Sequence, residues 1–294
     1  MQRRQFVAAA AAVPLVPLAG GVPAAGAFAA SAALSRIEAT TGGRLGVAAA
    51  ELAGGRRLGH RVGEGFPMCS TFKMLLVTAV LARVDAGRER LDREIAYGRA
   101  DLQAYAPVTT AHVRAGSMSI GALCAAAIVV SDNTAASLLF RSIGGPLALT
   151  AFVRRAPFRD PVTRFDRTEP ALNSALPGDP RDTTTPARMA AALALVLGGE
   201  QVLAAPSRYR LAAWMHACET GRGALRAGVP PSWAAADKTG SGANGTRNDL
   251  AIFRPTHRPA IVVAAYLTGA TSLDDTRRDA ALAAVGHVVA RAFA

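Results

Sequence analysis

The chain has 294 residues, 51% hydrophobic and 5% aromatic, enough apolar material for one large domain or two small ones. Its formal charge of +12 is spread over arginines in ones and twos (Arg56-Arg57, Arg154-Arg155, Arg277-Arg278); no basic run is interleaved with aromatics, which argues against a nucleic-acid partner. The five histidines lie at least 30 residues apart, so there is no local metal-binding pattern, and no metal or other cofactor is expected.

Residues 1–29 read as an export signal. Arg3-Arg4-Gln5-Phe6 opens an Ala-rich apolar run ending at Ala27-Phe28-Ala29, a small-residue cleavage pattern. The paired arginines resemble a twin-arginine leader. Pro14, Pro17 and Pro23 interrupt the run, which argues against a spanning helix, and no cysteine precedes Cys69 to carry a lipid. An exported protein, periplasmic or secreted and without a membrane anchor, is therefore expected. Without the leader the charge falls from +12 to +10 through loss of Arg3 and Arg4. A solvated basic surface of that kind raises encounter rates with small anions.

Next, Ala33 to Thr40 reads as a short amphipathic helix. Arg44 to Leu52 and Arg57 to Val62, split by Gly54-Gly55, read as a hairpin. Phe66-Pro67-Met68-Cys69 leads into a long helix, Thr71 to Asp85, closed by Gly87. From there to about residue 227 the pattern is helices and loops without a strand: a helix from Ser117-Met118 through Val130, another from Asn133 to Ile143, another from Thr185 to Leu197. Trp233 to Lys238, Arg247 to Phe253 and Ala260 to Leu267 then read as three strands, and Ser272 to Ala292 as a closing helix. Strands at both ends around a helical middle predict one α/β layer interrupted by an all-helical insertion, with a crevice between them.

The most informative residues are the lysines. Of 33 Lys+Arg only two are lysine, Lys73 and Lys238. A chain that writes nearly every cation as Arg keeps Lys where Arg fails, because an ammonium is compact and loses its proton when buried. Lys73 follows Ser70 by three residues, which puts both on one helix face. A desolvated lysine there can serve as base for the serine hydroxyl, and the Ser70 N–H at the helix start can meet a developing oxyanion. Cys69, Cys124 and Cys218 are an odd number at wide spacing, so at least one is a free thiol. Cys69 has no His or acid nearby in sequence and reads as a small buried residue.

Ser70-Thr71-Phe72-Lys73, Ser131-Asp132-Asn133 and Lys238-Thr239-Gly240 occur in that order, the motif set of class A β-lactamases and penicillin-binding proteins. From about Leu34 onward the sequence resembles a class A serine β-lactamase. It is most similar to the cefotaximase-type branch in Pro67-Met68-Cys69-Ser70-Thr71, Asp166-Arg167-Thr168-Glu169-Pro170 and Lys238-Thr239-Gly240-Ser241-Gly242. The resemblance implies an antiparallel sheet with flanking helices, built from 30–66 and 228–294, plus an all-helical subdomain over 67–227. It also implies hydrolysis of penicillins and cephalosporins through a Ser70 acyl-enzyme, hence antibiotic resistance, with Lys73 and Ser131 moving protons. Asn133 would hold the substrate's side-chain amide; Lys238 and Thr239 would bind its carboxylate beside Gly240. Ser241 would add an oxyanion N–H, Tyr105 would wall the cleft mouth, and Arg247 would add positive charge behind Lys238. The turn-rich stretch Arg164 to Asp182 matches the family's Ω loop, with Glu169 as general base, Asn173 holding the water, Arg167 paired with Asp182, and a cis Glu169-Pro170 bond. Asp132 would tie loops together.

Val77 stands where some relatives carry a cysteine facing Cys124, and Gly242 where carbapenem-hydrolysing relatives carry one facing Cys69, so neither disulfide is expected. The alternatives are a D,D-peptidase, which shares the three motifs but lacks the Glu169 loop, and a non-hydrolysing β-lactam sensor, which stays acylated. The expected partners are small β-lactams, and the expected state is a monomer.

Overall fold

The computed structural model describes residues 24–294, with side chains from Ala29 onward. Arg3-Arg4 and the rest of the expected leader through residue 23 lie outside the described residues. Helix α1 (Ala24–Thr41) begins well before the helix expected from Ala33, so Ala27-Phe28-Ala29 falls in its first turns. The chain continues through β1 (Arg44–Glu51), β2 (Arg57–His60), β3 (Phe66–Pro67), α2 (Phe72–Asp85) and β4 (Glu94–Ala96). It then forms α3 (Pro107–His112), β5 (Ser117–Ser119), α4 (Ile120–Val129), α5 (Asn133–Ile143) and α6 (Gly145–Arg154). Last come β6 (Thr183–Thr184), α7 (Pro186–Leu197), α8 (Ala205–His216), β7 (Ala234–Gly242), β8 (Thr246–Arg254), β9 (Ile261–Thr268) and α9 (Asp275–Phe293).

Five strands form one antiparallel sheet in the order β2-β1-β9-β8-β7. The first hairpin is thus zipped to the last strand, from Arg44↔Thr268 to Glu51↔Ile261. Side chains alternate across the sheet with period two. Val47, Ala49, Ala251, Val263 and Ala265 pack with Leu34 of α1 and Leu282, Val285 and Val289 of α9. Ala48, Leu250, Ile252, Val262 and Ala264 turn the other way, onto a core built around α2. That helix is buried along its whole first part, Phe72 to Leu81, and Phe72 stacks on Phe140 at 5.1 Å. A helix apolar on every side belongs in the middle of a protein rather than on its surface. Lys73, in its first turn, is carried into the interior with it.

Between Gly87 and residue 227 the expectation of no strand needs correcting: β4 pairs with β5, and β6 pairs with β3. Ser117-Met118 is therefore strand, and the following helix starts only at Ile120, where the Ser119 hydroxyl accepts from Ala122 N. Helices α6 and α8 were not expected. The second of these buries only Ser207, Leu211 and Met215, one residue per turn, a stripe too thin to read against its Ala and Arg neighbours. No single helix among the described residues is long and apolar enough to cross a membrane.

Candidate active site

Ser70 lies in a single 3₁₀ turn, Cys69–Thr71, that feeds directly into α2. It therefore precedes the helix rather than opening it, and Cys69 takes a left-handed φ of 45° to make the turn. Burial pushes the Cys69 thiol far up, which makes it a packing residue and not a nucleophile. All three cysteines are buried and free. Gly242 packs against Cys69 so closely that a Cβ there would stand 2.5 Å from Sγ.

Lys73 is fully buried, and its Nζ donates to Ser131 O (2.8 Å), Ser131 Oγ (3.3 Å) and Asn133 Oδ1 (2.6 Å). It also lies 3.1 Å from Glu169 Oε1, both side chains being 0% exposed. This last contact is charge against charge without an aligned hydrogen bond, since Oε1 has no bond of good geometry. Burial pushes the Lys73 amine down from its ordinary range, while the Glu169 charge pulls the other way. Ser131, at a left-handed φ of 62°, sits between the two lysines, because Lys238 Nζ reaches the same Oγ at 3.0 Å. Both lysines of the chain therefore converge on one hydroxyl. Burial, reinforced by Lys73, pushes Lys238 down to about 8. Asn133 reaches Lys73, and its N–H is held by Tyr105 O at 2.8 Å; the Tyr105 side chain is 52% exposed at the rim. Asp132 ties the loop as expected, accepting from Val108 N, Thr109 N, Thr109 Oγ1 and Ala135 N.

Across Lys73 stands the 164–182 loop. Glu169-Pro170 is cis, and the turn Ala171–Ser174 brings Asn173 Nδ2 onto Glu169 Oε2. Glu169 Oε1 and Asn173 Oδ1 are buried acceptors with no hydrogen-bond donor among the described residues, a pair suited to a water that donates to both. Arg167 Nε meets Asp182 Oδ2 at 2.5 Å, so the expected neck pair forms.

Strand β7 is a sheet edge, so its peptide groups alternate between the ladder to β8 and open space. Thr239 O accepts from Lys238 Nζ, which puts it on the open side. Two residues on, the Ser241 N–H points the same way, toward the cleft. The side chains divide as well. Lys238 and Gly240 face the helical core, whereas Thr239 turns toward Thr220, their hydroxyls 2.5 Å apart. Arg247 is opposite Ser241, not Lys238, in the register. Its charge lies beside Ser241, with bonds to Ser241 Oγ (2.7 Å), Thr220 O (2.9 Å) and Asp279 (2.5 Å), which corrects its expected place behind Lys238.

Sequence reading missed the support behind Thr239. Asp237 and Asp249 are diagonal neighbours on the far face of β7 and β8, both 0% exposed. Burial, and then the Asp237 charge, raise Asp249 well above the ordinary aspartate range; Asp237 is also raised by burial, but it accepts from the Arg226 guanidinium. Thr220 and Asp279 were missed too. No local spacing could have shown them, because Asp279 meets Arg247 across 32 residues of chain.

A family model described as "Beta-lactamase enzyme family" matches residues 29–293. Beta-lactamase L2 of Stenotrophomonas maltophilia is 46% identical over 305 residues, covering 99% of both chains. The structure resembles an ancestral class A β-lactamase, the reconstructed last common ancestor of Gram-negative bacteria, at 54% identity and TM-score 0.87; the match covers 90% of this chain and 100% of that one. PenP of Rhodopseudomonas palustris matches at 50% identity and TM-score 0.86, over 90% and 99% of the two chains.

Proposed function

This chain belongs to the class A β-lactamase family, and on that premise we propose how its own residues open a β-lactam and release the product. The enzyme is a serine β-lactamase, a hydrolase acting on β-lactams. The observation that carries the mechanism is Lys73 Nζ, buried between Glu169 Oε1 and the Ser131 hydroxyl. Transfer of the Lys73 proton to Glu169 leaves a neutral amine, which burial favours. Ser70 Oγ adds to the lactam carbonyl carbon as its proton passes to Lys73. The Ser70 and Ser241 N–H groups bind the oxyanion. The C–N bond then breaks, and nitrogen takes a proton passed from Lys73 through Ser131 Oγ.

Glu169 next returns its proton to Lys73 and becomes a carboxylate again. A water held by Glu169 and Asn173 gives a proton to Glu169 and adds to the ester carbon. The ester C–O bond breaks, and Ser70 recovers its proton from Lys73. Lys238, Thr239 and Ser241 receive the substrate carboxylate, with Arg247 behind Ser241. Asn133, Gly240 and Tyr105 shape the side-chain end of the cleft.

Trapping tests this scheme. Losing a positioned base costs about 10²–10⁴-fold in the step it serves. In Glu169→Ala the buried Lys73 can still shed its proton to solvent and activate Ser70, but the water has lost its base. A penicilloyl adduct should therefore accumulate on the Ser70 peptide, seen by mass spectrometry, while Ser70→Ala forms none. Wild-type turnover by Glu169→Ala would remove the loop from the mechanism.

The Pro67–Thr71, Asp166–Pro170 and Lys238–Gly242 stretches support placement in the cefotaximase-type branch, which efficient turnover of an oxyimino-cephalosporin checks. The helical part is 67–227, inserted between 30–66 and 228–294. Export by the twin-arginine route rests on Arg3-Arg4, and cytoplasmic retention of an Arg3-Arg4→Lys-Lys variant checks it; sedimentation of the mature enzyme checks the monomeric state.

A further inference from the structure

Gly240 of β7 pairs with Asn248 of β8, Asn248 with Tyr266 of β9, and Tyr266 with Gly46 of β1. These four residues form one row across four strands, and cross-strand partners share a face. The face is the one toward α2, where the sheet otherwise presents aliphatic residues such as Leu250, Ile252, Val262 and Ala264. Every member of the row meets the short segment 66–71 that carries Ser70. A Cβ on Gly240 would stand 2.8 Å from Met68 O, 3.0 Å from Thr71 N and 3.1 Å from Ser70 N. Asn248 Nδ2 donates to Pro67 O at 2.8 Å and Met68 O at 3.1 Å. The Tyr266 hydroxyl lies 3.4 Å from Thr71 Oγ1, with its ring 6.0 Å from that of Phe66. A Cβ on Gly46 would stand 2.4 Å from the Phe66 ring.

An amide in an apolar sheet face is costly, and Asn248 is 0% exposed with its Oδ1 unpartnered among the described residues. What that cost obtains is a grip on two carbonyls just before Cys69, whose left-handed φ is an unfavourable conformation for a residue with a Cβ. Met68 O is the node: it accepts from Thr71 N (3.2 Å), Thr71 Oγ1 (2.7 Å) and Asn248 Nδ2. With that carbonyl held, the next peptide turns, and the Ser70 N–H is aimed over Gly240 at the cleft.

We propose that this transverse row is the template of the nucleophile turn, and that Asn248 and Tyr266 are positioning residues for acyl transfer. The inference rests on Ser70 being the acylated residue. Neither side chain touches substrate; each acts through the orientation of the Ser70 Oγ and N–H.

The test is Asn248→Ala in the Glu169→Ala background, where the acyl-enzyme persists. A well-aimed N–H weakens the ester C=O and lowers its infrared stretching frequency; a misaimed one lets the frequency rise. The expected result is an adduct still on the Ser70 peptide, an acylation rate lowered roughly 10- to 100-fold, and the ester carbonyl band moved to higher wavenumber. Tyr266→Phe should move band and rate in the same direction by less. If Asn248→Ala does not accumulate as folded protein, Asn248→Ser, which keeps a small donor, is the variant measured. An unmoved band and wild-type acylation rate, whether or not the melting temperature falls, would reduce Asn248 to a structural residue and overturn the proposal. An adduct on another residue in the Glu169→Ala parent would overturn the Ser70 reading beneath it, so the two failures are distinguishable.

Discussion

The nucleophile turn and the Ω loop face each other across Lys73, but different forces fasten them. Residues 66–71 are largely buried and are held by uncharged hydrogen bonds: Met68 N to Asp182 O (3.0 Å), Asn248 to Pro67 O and Met68 O, Thr71 Oγ1 to Met68 O. The 164–182 loop is held largely by ion pairs: Arg164 with Asp166, Arg167 with Asp182 and Asp179, Arg181 with Asp179. The side chains of Arg164 and Arg181 are 45% and 49% exposed, so their pairs are screened and add little. Asp182 is different. It is 0% exposed and accepts from Asp166 N, Arg167 N and Arg167 Nε, so the loop hangs on this one carboxylate. The segment that must not move while bonds form is largely buried and tied by uncharged groups. The segment that must admit a water hangs on one buried carboxylate, with solvent-exposed ion pairs around it.

Lys73 joins the two regions, so it gives the largest way to break the comparison. Lys73→Arg should lower kcat/KM by about 10²–10⁴-fold, since guanidinium cannot act as a base. Lys238→Arg should mainly raise KM, because a cation is the chief need there. Equal tolerance of Arg at both positions would undo the distinction.

Asp182→Asn addresses the loop alone. It keeps an Oδ1 that can accept from Asp166 N and Arg167 N, but puts an NH2 donor where Oδ2 accepts from Arg167 Nε, at a cost of roughly 1–3 kcal/mol. Deacylation should slow about tenfold through misplacement of Glu169, with acylation nearly unchanged in stopped-flow traces. Equal slowing of both steps would show that the neck also supports the turn through the Asp182 O to Met68 N bond.

The smallest effect is a pH limb. Lys238 is held down to about 8 by burial, so it is a cation below that pH and neutral above it. The KM for a carboxylate-bearing penicillin should therefore rise as pH passes 8, by up to about tenfold per unit, while kcat changes less. A flat KM between pH 7 and 9.5 would mean that Lys238 keeps its proton.

Much of the site was legible because its chemistry is local in sequence. Ser70 and Lys73 are a helical turn apart, Ser131 and Asn133 flank one loop, and Glu169 and Asn173 share another. The scarcity of lysine marks the two buried amines, since an ammonium is compact and can lower its pKa on burial where a guanidinium cannot. The five sheet strands and the longer helices other than α8 followed from periodicity and turn residues. Tertiary structure alone decided the rest. That Ser70 precedes α2 in a strained 3₁₀ turn, that Arg247 serves Ser241, that Asp249 is buried opposite Thr239, and that Asn248 and Tyr266 grip the turn all depend on how the strands are registered and packed. Register pairs residues tens to hundreds of positions apart, and a one-residue slip would turn each of these side chains to the opposite face. Spacing along the chain carries no trace of that choice; only packing the two ends of the chain into one sheet makes it.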